Sequence, residues 1–238
     1  MDKTIWIMIL SFLIYSMAGW IWESLVCPIL TNNPIHNSGF LTGPVVPIYG
    51  AGAVTVNILF SQNDSLLSIF LEGACVACVI EYLTSYVMEK IYHRRWWDYS
   101  NKRFNVNGRI CAEGFVVFGL FSVVSIKYLD PRMAAWLATY DLIPLVVVAT
   151  IGMTLFVTDL IMTINQMAHL QEKLDLFTAD LVKEADKLKV TLEENRMTRK
   201  AIYNIIEQRR IQNIPPSIEK NFSEARLLKA FPHLLNKK

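Results

Sequence analysis

Charge is scarce in this 238-residue chain, and scarcest where a water-facing surface would need it. Charged residues make up 18% and hydrophobic ones 53%. The two are segregated, with the apolar side chains gathered before about residue 160 and the charges after it. That distribution excludes an ordinary soluble domain, whose apolar and polar positions alternate along each element. Cysteine is also sparse. Cys75 and Cys78 form a C-x-x-C inside the apolar stretch GACVACVIEY, with no second pair or histidine nearby. They support neither a disulfide framework nor a zinc site, and small side chains at a helix contact are the plainer reading. No G-x-x-x-x-G-K-[ST] occurs, so the chain has no phosphate-cradling loop for ATP. It shows no nucleophile–base pair, no metal-ligand set and no recognised catalytic signature. No catalytic residue, cofactor, metal or nucleic acid is implied. The first apolar run lacks a basic n-region and a small-residue cleavage site, and it ends on Trp20, Trp22 and Glu23. It reads as a retained helix rather than a signal peptide.

What the chain has instead is long apolar runs. Ile5–Val26, Pro44–Phe60, Leu66–Met88, Ile110–Ile126 and Met133–Phe156 each approach the roughly 20 residues that cross a hydrocarbon core. The expectation is an all-α polytopic membrane bundle of about five transmembrane helices. The second is short or broken, because Pro44, Pro47, Gly50 and Gly52 crowd its start. Residues 90–114, KIYHRRWWDYSNKRFNVNGRICAEG, form a basic, aromatic segment between the third and fourth runs. Over 90–109, Lys90, Arg94, Arg95, Lys102, Arg103 and Arg109 face one acid, Asp98, whereas Ser61–Ser65 holds no basic residue. By the positive-inside bias this segment is cytoplasmic in the plasma membrane. The N-terminus is then outside and the C-terminus cytoplasmic, with Lys3 as the discordant charge.

That orientation puts Glu23, Glu81, Glu89, Arg109, Glu113 and Asp159 near the cytoplasmic ends of their runs. Charges at membrane depth cost a few kcal/mol each, so they face a bundle interior, a partner charge or water. Tyr15, Gly19 and Glu23 are four apart, as are Glu81, Ser85 and Glu89, and Arg109 and Glu113. Each set therefore lines one helix stripe. The functional reading is a polar cavity open to the cytoplasm, with Arg109 and Arg95 neutralising some of the acids. The plainer alternative leaves Glu89 and Glu113 solvated at headgroup level. Residues 27–43 face the same side, nearly uncharged and rich in Asn, Pro and Gly. They either fold into the bundle or make a tight surface loop, and Thr31, Asn32, Asn33, His36 and Asn37 favour a structured loop. A faint internal echo links Glu23 and NSGFLTGP to Glu89 and NVNGRIC, as a parallel duplication of hairpins would.

The ordered set YSMAGWIWES (15–24), NSGFLTGPVVPIYGAGA (37–53), EYLTSYVMEKIYHRRWWDYS (81–100) and FNVNGRIC (104–111) resembles the bacterial membrane family labelled putative ABC-transporter type IV. The resemblance covers roughly residues 5–160. Its motif positions map onto Gly19, Trp20 and Glu23; onto Asn37, Gly39, Phe40, Gly43, Pro44, Pro47, Tyr49 and Gly50; and onto Trp96, Trp97, Asp98, Tyr99, Asn105, Gly108 and Arg109. Ser38 stands where members usually carry arginine, which removes a positive charge from that loop. The resemblance implies a membrane protein of transport type. With no P-loop here, ATP hydrolysis would come from a separate ATPase subunit. The candidate substrate-binding or cavity residues are Glu23, Glu81, Glu89, Asp98, Arg95, Arg109, Asn37, Tyr49, Trp97 and Asn105.

Beyond Phe156 the pattern changes. Leu160, Met167, Leu174, Leu181, Leu188 and Ile202 follow a seven-residue spacing, interrupted at Asn195, with Ile164, Leu192 and Ile206 at the complementary position. Gly and Pro are absent from 153 to 213. The spacing predicts one long helix leaving the membrane, either a coiled coil that forms a homodimer through 160–212 or a lone amphipathic helix. Pro215 and Pro216 end it. The expected division is a transmembrane domain over 1–159, a cytoplasmic helix over 160–212 and a basic tail over 213–238 that attracts anionic headgroups. Three functions fit: a transporter or permease-like subunit embedded in the lipid bilayer; a membrane-anchored sensor or scaffold recruiting a partner through that helix; and, ranked last, an embedded enzyme acting on a lipid or phosphate-bearing substrate.

Overall fold

A computed structural model describes residues 3–193, 218, 222–231 and 234. Those residues form a helical membrane bundle with no strand. In chain order it comprises α1 (Lys3–Ile21), a π-helical turn (Trp22–Val26), α2 (Cys27–Leu30), α3 (Pro47–Leu59), α4 (Leu66–Tyr92), α5 (Ala112–Val124), a second π-helical turn (Ser125–Leu129), α6 (Asp130–Ala138), α7 (Leu142–Glu193) and α8 (Phe222–Ala230). Four continuous stretches are long and apolar enough to cross a bilayer: Lys3–Leu30, Leu66–Tyr92, Ala112–Ala138 and Leu142–Asp180.

Prolines explain both π turns. Pro28 has no N–H for the Ser24 carbonyl, and the helix absorbs the lost bond one step early, with the Cys27 amide reaching back to Trp22 rather than Glu23. The Glu23 carbonyl is thereby freed, and it accepts the Ser38 hydroxyl at 3.3 Å. Ahead of Pro131 the Asp130 amide reaches back to Ser125 in the same way. This corrects the expected boundary between the last two spans. Pro131 does not end a helix, because the wider turn accommodates it, and the chain turns instead at 139–141. There the Thr139 and Tyr140 amides close short turns onto Trp136 and Leu137.

The second apolar run does not form a helix long enough to cross a bilayer. At 13 residues α3 is about 20 Å long, short of the roughly 30 Å core. Residues 37–46 fold back along α1, and the Val46 amide bonds the Ser16 carbonyl at 2.9 Å. Of the two earlier possibilities for 27–43, each holds for one part: residues 29–35 are exposed at the surface, and the stretch from Asn37 folds into the bundle, with Gly39 and Leu41 buried. Close helix approach depends on glycine. A Cβ at Gly50 would overlap Ser16 Oγ and the Phe12 carbonyl, and one at Gly19 would overlap the Tyr49 ring. Gly73 against Ser122 and Gly119 against Phe70 do the same for α4 and α5. Ser11 and Ser16 hide their hydroxyls on the carbonyls four residues back.

Lys3 Nζ bonds the Tyr140 carbonyl at one end of the bundle. At the other end α7 continues past residue 160 without a break. Its heptad residues Met167 and Leu174, with Leu170 between them, are fully buried against Trp96 and against Ile218 and Leu227 of the same chain. Arg226 of α8 donates to the Gly39 and Phe40 carbonyls at 2.8 and 3.0 Å, so this tail cation is engaged by protein rather than by headgroups. Ile202, Ile206, Pro215, Pro216, Lys220, Lys237 and Lys238 lie outside the described residues.

Gly50→Ala should lower the thermal stability of the detergent-solubilised protein by about 1–3 kcal/mol, as overpacking does. Gly52→Ala, whose Cβ would meet nothing within 4 Å, should change it by less than about 0.5 kcal/mol. Equal effects in calorimetry would refute the close α1–α3 seam.

Candidate functional site

The loop end of the bundle is built on residues 93–111, and its shape follows from a few backbone reversals. His93 ends α4 in the left-handed conformation at φ 51°. The chain then doubles back through Asn107 and Gly108 at φ 53° and 67°. Tyr99 donates its amide to the Gly108 carbonyl at 2.8 Å, and Val106 pairs with Ile110 at 3.0 Å. Gly108 has no substitute here. Any Cβ would lie about on Asp98 Oδ1, Ser100 Oγ and Arg95 Nη1, at 2.5–2.6 Å. Asn105 locks the turn by donating to the Ser100 and Lys102 carbonyls and accepting the Gly108 amide.

An ion-pair network sits inside this frame. Glu89 lies between Arg95 at 3.4 Å and Arg109 at 2.9 Å, and Arg95 reaches on to Asp98 at 3.0 Å. Arg109 also lies over the rings of Tyr82 and Tyr86, 5.4 and 5.5 Å from their centroids, as cation–π pairing favours. Trp97 Nε1 donates to the Arg109 carbonyl at 3.1 Å. Both guanidiniums line a cleft of about 520 Å³ together with Tyr82, Tyr86, Ser100 and Asn107. Asp98 is held below the usual carboxylate range. Partial burial opposes ionisation, but the Ser100 hydroxyl and amide and the Arg95 guanidinium outweigh it.

Deeper lie two carboxylate–phenol pairs. Tyr49 donates to Glu23 Oε1 at 3.0 Å, and Tyr99 donates to Glu81 Oε1 at 3.3 Å. Glu81 Oε2 is buried and has no hydrogen-bond partner among the described residues. Burial pushes the Tyr99 phenol up, with Glu81, Cys111 and Glu23 adding to the effect. The two pairs draw their carboxylates from different elements, Glu23 from the first π turn and Glu81 from α4.

The third group holds the returning chain. Asn37 accepts Trp20 Nε1 and the Gly39 amide at 2.9 and 3.0 Å and donates to the Thr42 carbonyl at 2.9 Å. Asp159 of α7 accepts the Thr42 and Gly43 amides at 3.1 and 2.8 Å. Ser38 donates its amide to Ser24 Oγ at 3.1 Å, so the position where an arginine was expected serves here as a clamp.

The sequence candidates thus fall into three neighbouring groups rather than one wall. Glu23 pairs with Tyr49, and Glu81 pairs with Tyr99. Glu89, Arg95, Asp98 and Arg109 form the network framed by Trp97 and Asn105. Asn37 organises the returning loop. The expected neutralisation of some of the acids by Arg109 and Arg95 is what the contacts give for Glu89 and Asp98, whereas Glu23 and Glu81 have tyrosine partners instead. Glu113 pairs with Lys102 at the exposed surface at 2.8 Å. Sequence reasoning did not select Tyr99, Arg94 or Asp159 for the site. Arg94 is fully buried, bonded to Asp175 at 2.7 Å and to the Leu234 carbonyl at 2.6 Å. Tyr99 carried a signal as a motif tyrosine beside Asp98, whereas Arg94 looked like any other loop cation.

A family model described as putative ABC-transporter type IV matches residues 10–164, more than half of the chain. The matched stretch holds every residue of the three groups above. No curated protein and no solved structure matches.

Because the folded Asp98 titrates below its unfolded value of about 3.9, its contribution to stability is full above that value. It is lost as pH falls through the lower folded value. Asp98→Asn should cost about 1 kcal/mol near neutral pH and should flatten this acid limb in a thermal-unfolding series over pH. An unchanged acid limb would refute the role assigned to Asp98.

Proposed function

The chain belongs to the putative ABC-transporter type IV family, and from that premise we propose that it is a transporter or permease-like subunit whose solute site is a polar cavity at the loop end of the bundle. The observation carrying this reading is the Glu23–Tyr49 and Glu81–Tyr99 arrangement, with Glu81 Oε2 buried and unpaired among the described residues. A buried carboxylate oxygen without a donor is costly in any static fold. It is understandable where a solute, a cation or water supplies the missing contact during a transport cycle. The π turn carrying Glu23 supports the same reading, since such turns recur at functional sites. So does the short α3 with the non-helical segment before it, a device transporters use to place backbone polar groups at membrane depth.

In this proposal the cavity faces the cytoplasm, as the Arg- and Lys-rich 93–111 loop favours, with the N-terminus outside and the C-terminus inside. ATP hydrolysis, if it drives the cycle, belongs to a separate subunit. The three-part division at 159/160 and 212/213 is also part of the proposal. A homodimer through 160–212 would have to use the part beyond Leu174, since Met167, Leu170 and Leu174 are covered within the chain. That intramolecular cover weakens the reading of the chain as a sensor or scaffold recruiting a partner through the same helix face.

In proteoliposomes that move solute, Glu23→Gln and Glu81→Gln should each cut the flux about tenfold or more, the equivalent of one charge-assisted hydrogen bond. Both variants should insert and elute as the parent does. Unchanged flux in both would overturn the cavity reading.

A further inference from the structure

The cleft of about 520 Å³ beside the ion-pair network is lined mainly by hydrogen-bond donors. Its two guanidiniums are nine-tenths buried, at 8% exposure each. Arg95 spends Nε on Glu89 and Nη1 on Asp98, and Arg109 spends Nη2 on Glu89. Arg95 Nη2 and Arg109 Nη1 keep no acceptor among the described residues, and Arg109 Nε is buried without one. Asn107 donates to the Tyr82 hydroxyl at 2.9 Å, which leaves the phenol's own hydrogen to be donated elsewhere. The neighbouring Tyr86 hydroxyl has no partner among the described residues. Glu89 and Asp98 are not part of the lining. Glu89 faces both arginines, and Asp98 is taken up by Arg95 and by the Ser100 amide and hydroxyl.

Charge and position narrow what these donors fit. Lys90 holds its ammonium over the Tyr86 ring, 5.6 Å from the centroid, and forms no ion pair among the described residues. Arg95, Arg109 and Lys90 therefore stand against two carboxylates, leaving a surplus positive charge. Two guanidiniums and two phenols with open N–H and O–H groups suit an anion that carries several oxygens, and a phosphate matches the planar fork of arginine. Filling those positions also relieves the cost of a buried cation whose donors go unused. The cleft lies at the loop end of α4, the level at which headgroups meet a membrane-crossing helix. Val79, Leu83, Tyr86 and Lys90 follow a spacing of four, three and four along α4, so they share one stripe. Val79 and Leu83 are exposed at 57% and 53%. The stripe thus runs from apolar through aromatic to cationic, the order in which a phospholipid runs from acyl chain to headgroup.

We propose that this cleft seats the phosphate of an anionic phospholipid. Arg95 and Arg109 grip its oxygens, Tyr82 and Tyr86 donate their hydroxyls to it, and an acyl chain lies along Leu83 and Val79. The inference does not rest on the transport reading, because the same donors hold a phosphate whatever the carboxylate–phenol pairs do.

The test is a titration of the purified full-length chain in detergent with dioleoyl-phosphatidylglycerol, the first retained lipid being counted by native mass spectrometry. Dioleoyl-phosphatidylcholine, which has the same chains and a phosphate but no net charge, should bind about fivefold more weakly, the effect of one unit charge at about 4 Å through water. Tyr82→Phe combined with Tyr86→Phe keeps both rings against Arg109 and removes only the hydroxyls. It should weaken phosphatidylglycerol binding about tenfold, the equivalent of one hydrogen bond to a charged group. Arg109→Lys, which keeps the charge and loses the fork, should do the same. Phosphatidylglycerol binding unchanged in both variants overturns the proposal, as does equal binding of the two lipids. Inorganic phosphate in excess should leave the lipid in place, whereas complete displacement by it would overturn the lipid assignment in favour of a soluble phosphate. Lipid retention needs no flux, so this inference and the transport reading fail separately.

Discussion

Non-helical backbone packed against apolar helices needs protein partners for its amides and carbonyls, and the loop end of this molecule is organised around meeting that requirement for residues 37–46. Each partner comes from a different place. Asn37 serves the loop from within, Ser24 and the freed Glu23 carbonyl from the π turn, Ser16 from the middle of α1, Asp159 from α7 and Arg226 from α8. The returning segment in turn delivers Tyr49 to Glu23 and Phe40 to Trp96, the two rings T-shaped with 5.0 Å between centroids. Without it, the deeper carboxylate would lack its phenol and the two halves of the bundle would lose their shared wall.

The two prolines that interrupt spans have opposite visible consequences but one cause. Pro28 and Pro131 each follow a π-helical turn by two residues, and in both places the amide before the proline takes over the lost bond from one residue further back. At Glu23 this exposes a carbonyl that the returning loop uses. At Ser125 it sets the hydroxyl against Tyr15, within the bundle. The proline is thus a means of presenting polar groups inside an apolar helix, where an uninterrupted ladder would have hidden them.

Legibility in the sequence followed the range of the interaction. Apolar runs and the Arg-rich loop are local patterns, so the all-α membrane bundle and its short second element could be read directly, as could the shared stripe of Tyr15, Gly19 and Glu23. The end of the fourth span could not, because Pro131 looks like a terminator unless the compensating π turn is known. Pairing was the least legible property. Spacing put Glu81, Glu89, Arg95 and Arg109 near one another without deciding which arginine meets which acid, and that choice depends on the left-handed turn at His93 and on Gly108. The heptad was correctly periodic at Met167 and Leu174. Periodicity says only that a face is apolar, and the residues covering it, Trp96 on one side and Ile218 and Leu227 on the other, lie far away in sequence in both directions.

One contact carries a consequence for how the molecule is made. Arg226, close to the end of the chain, supplies the donors for the Gly39 and Phe40 carbonyls, made nearly 190 residues earlier. During synthesis the first hairpin enters the membrane while its last hydrogen-bond donors have not yet been translated. Until α8 emerges, water must stand in for Arg226 at those carbonyls. The loop end of the bundle can therefore close only after α8 is made, and a chain terminated before Phe222 carries an open, hydrated version of it.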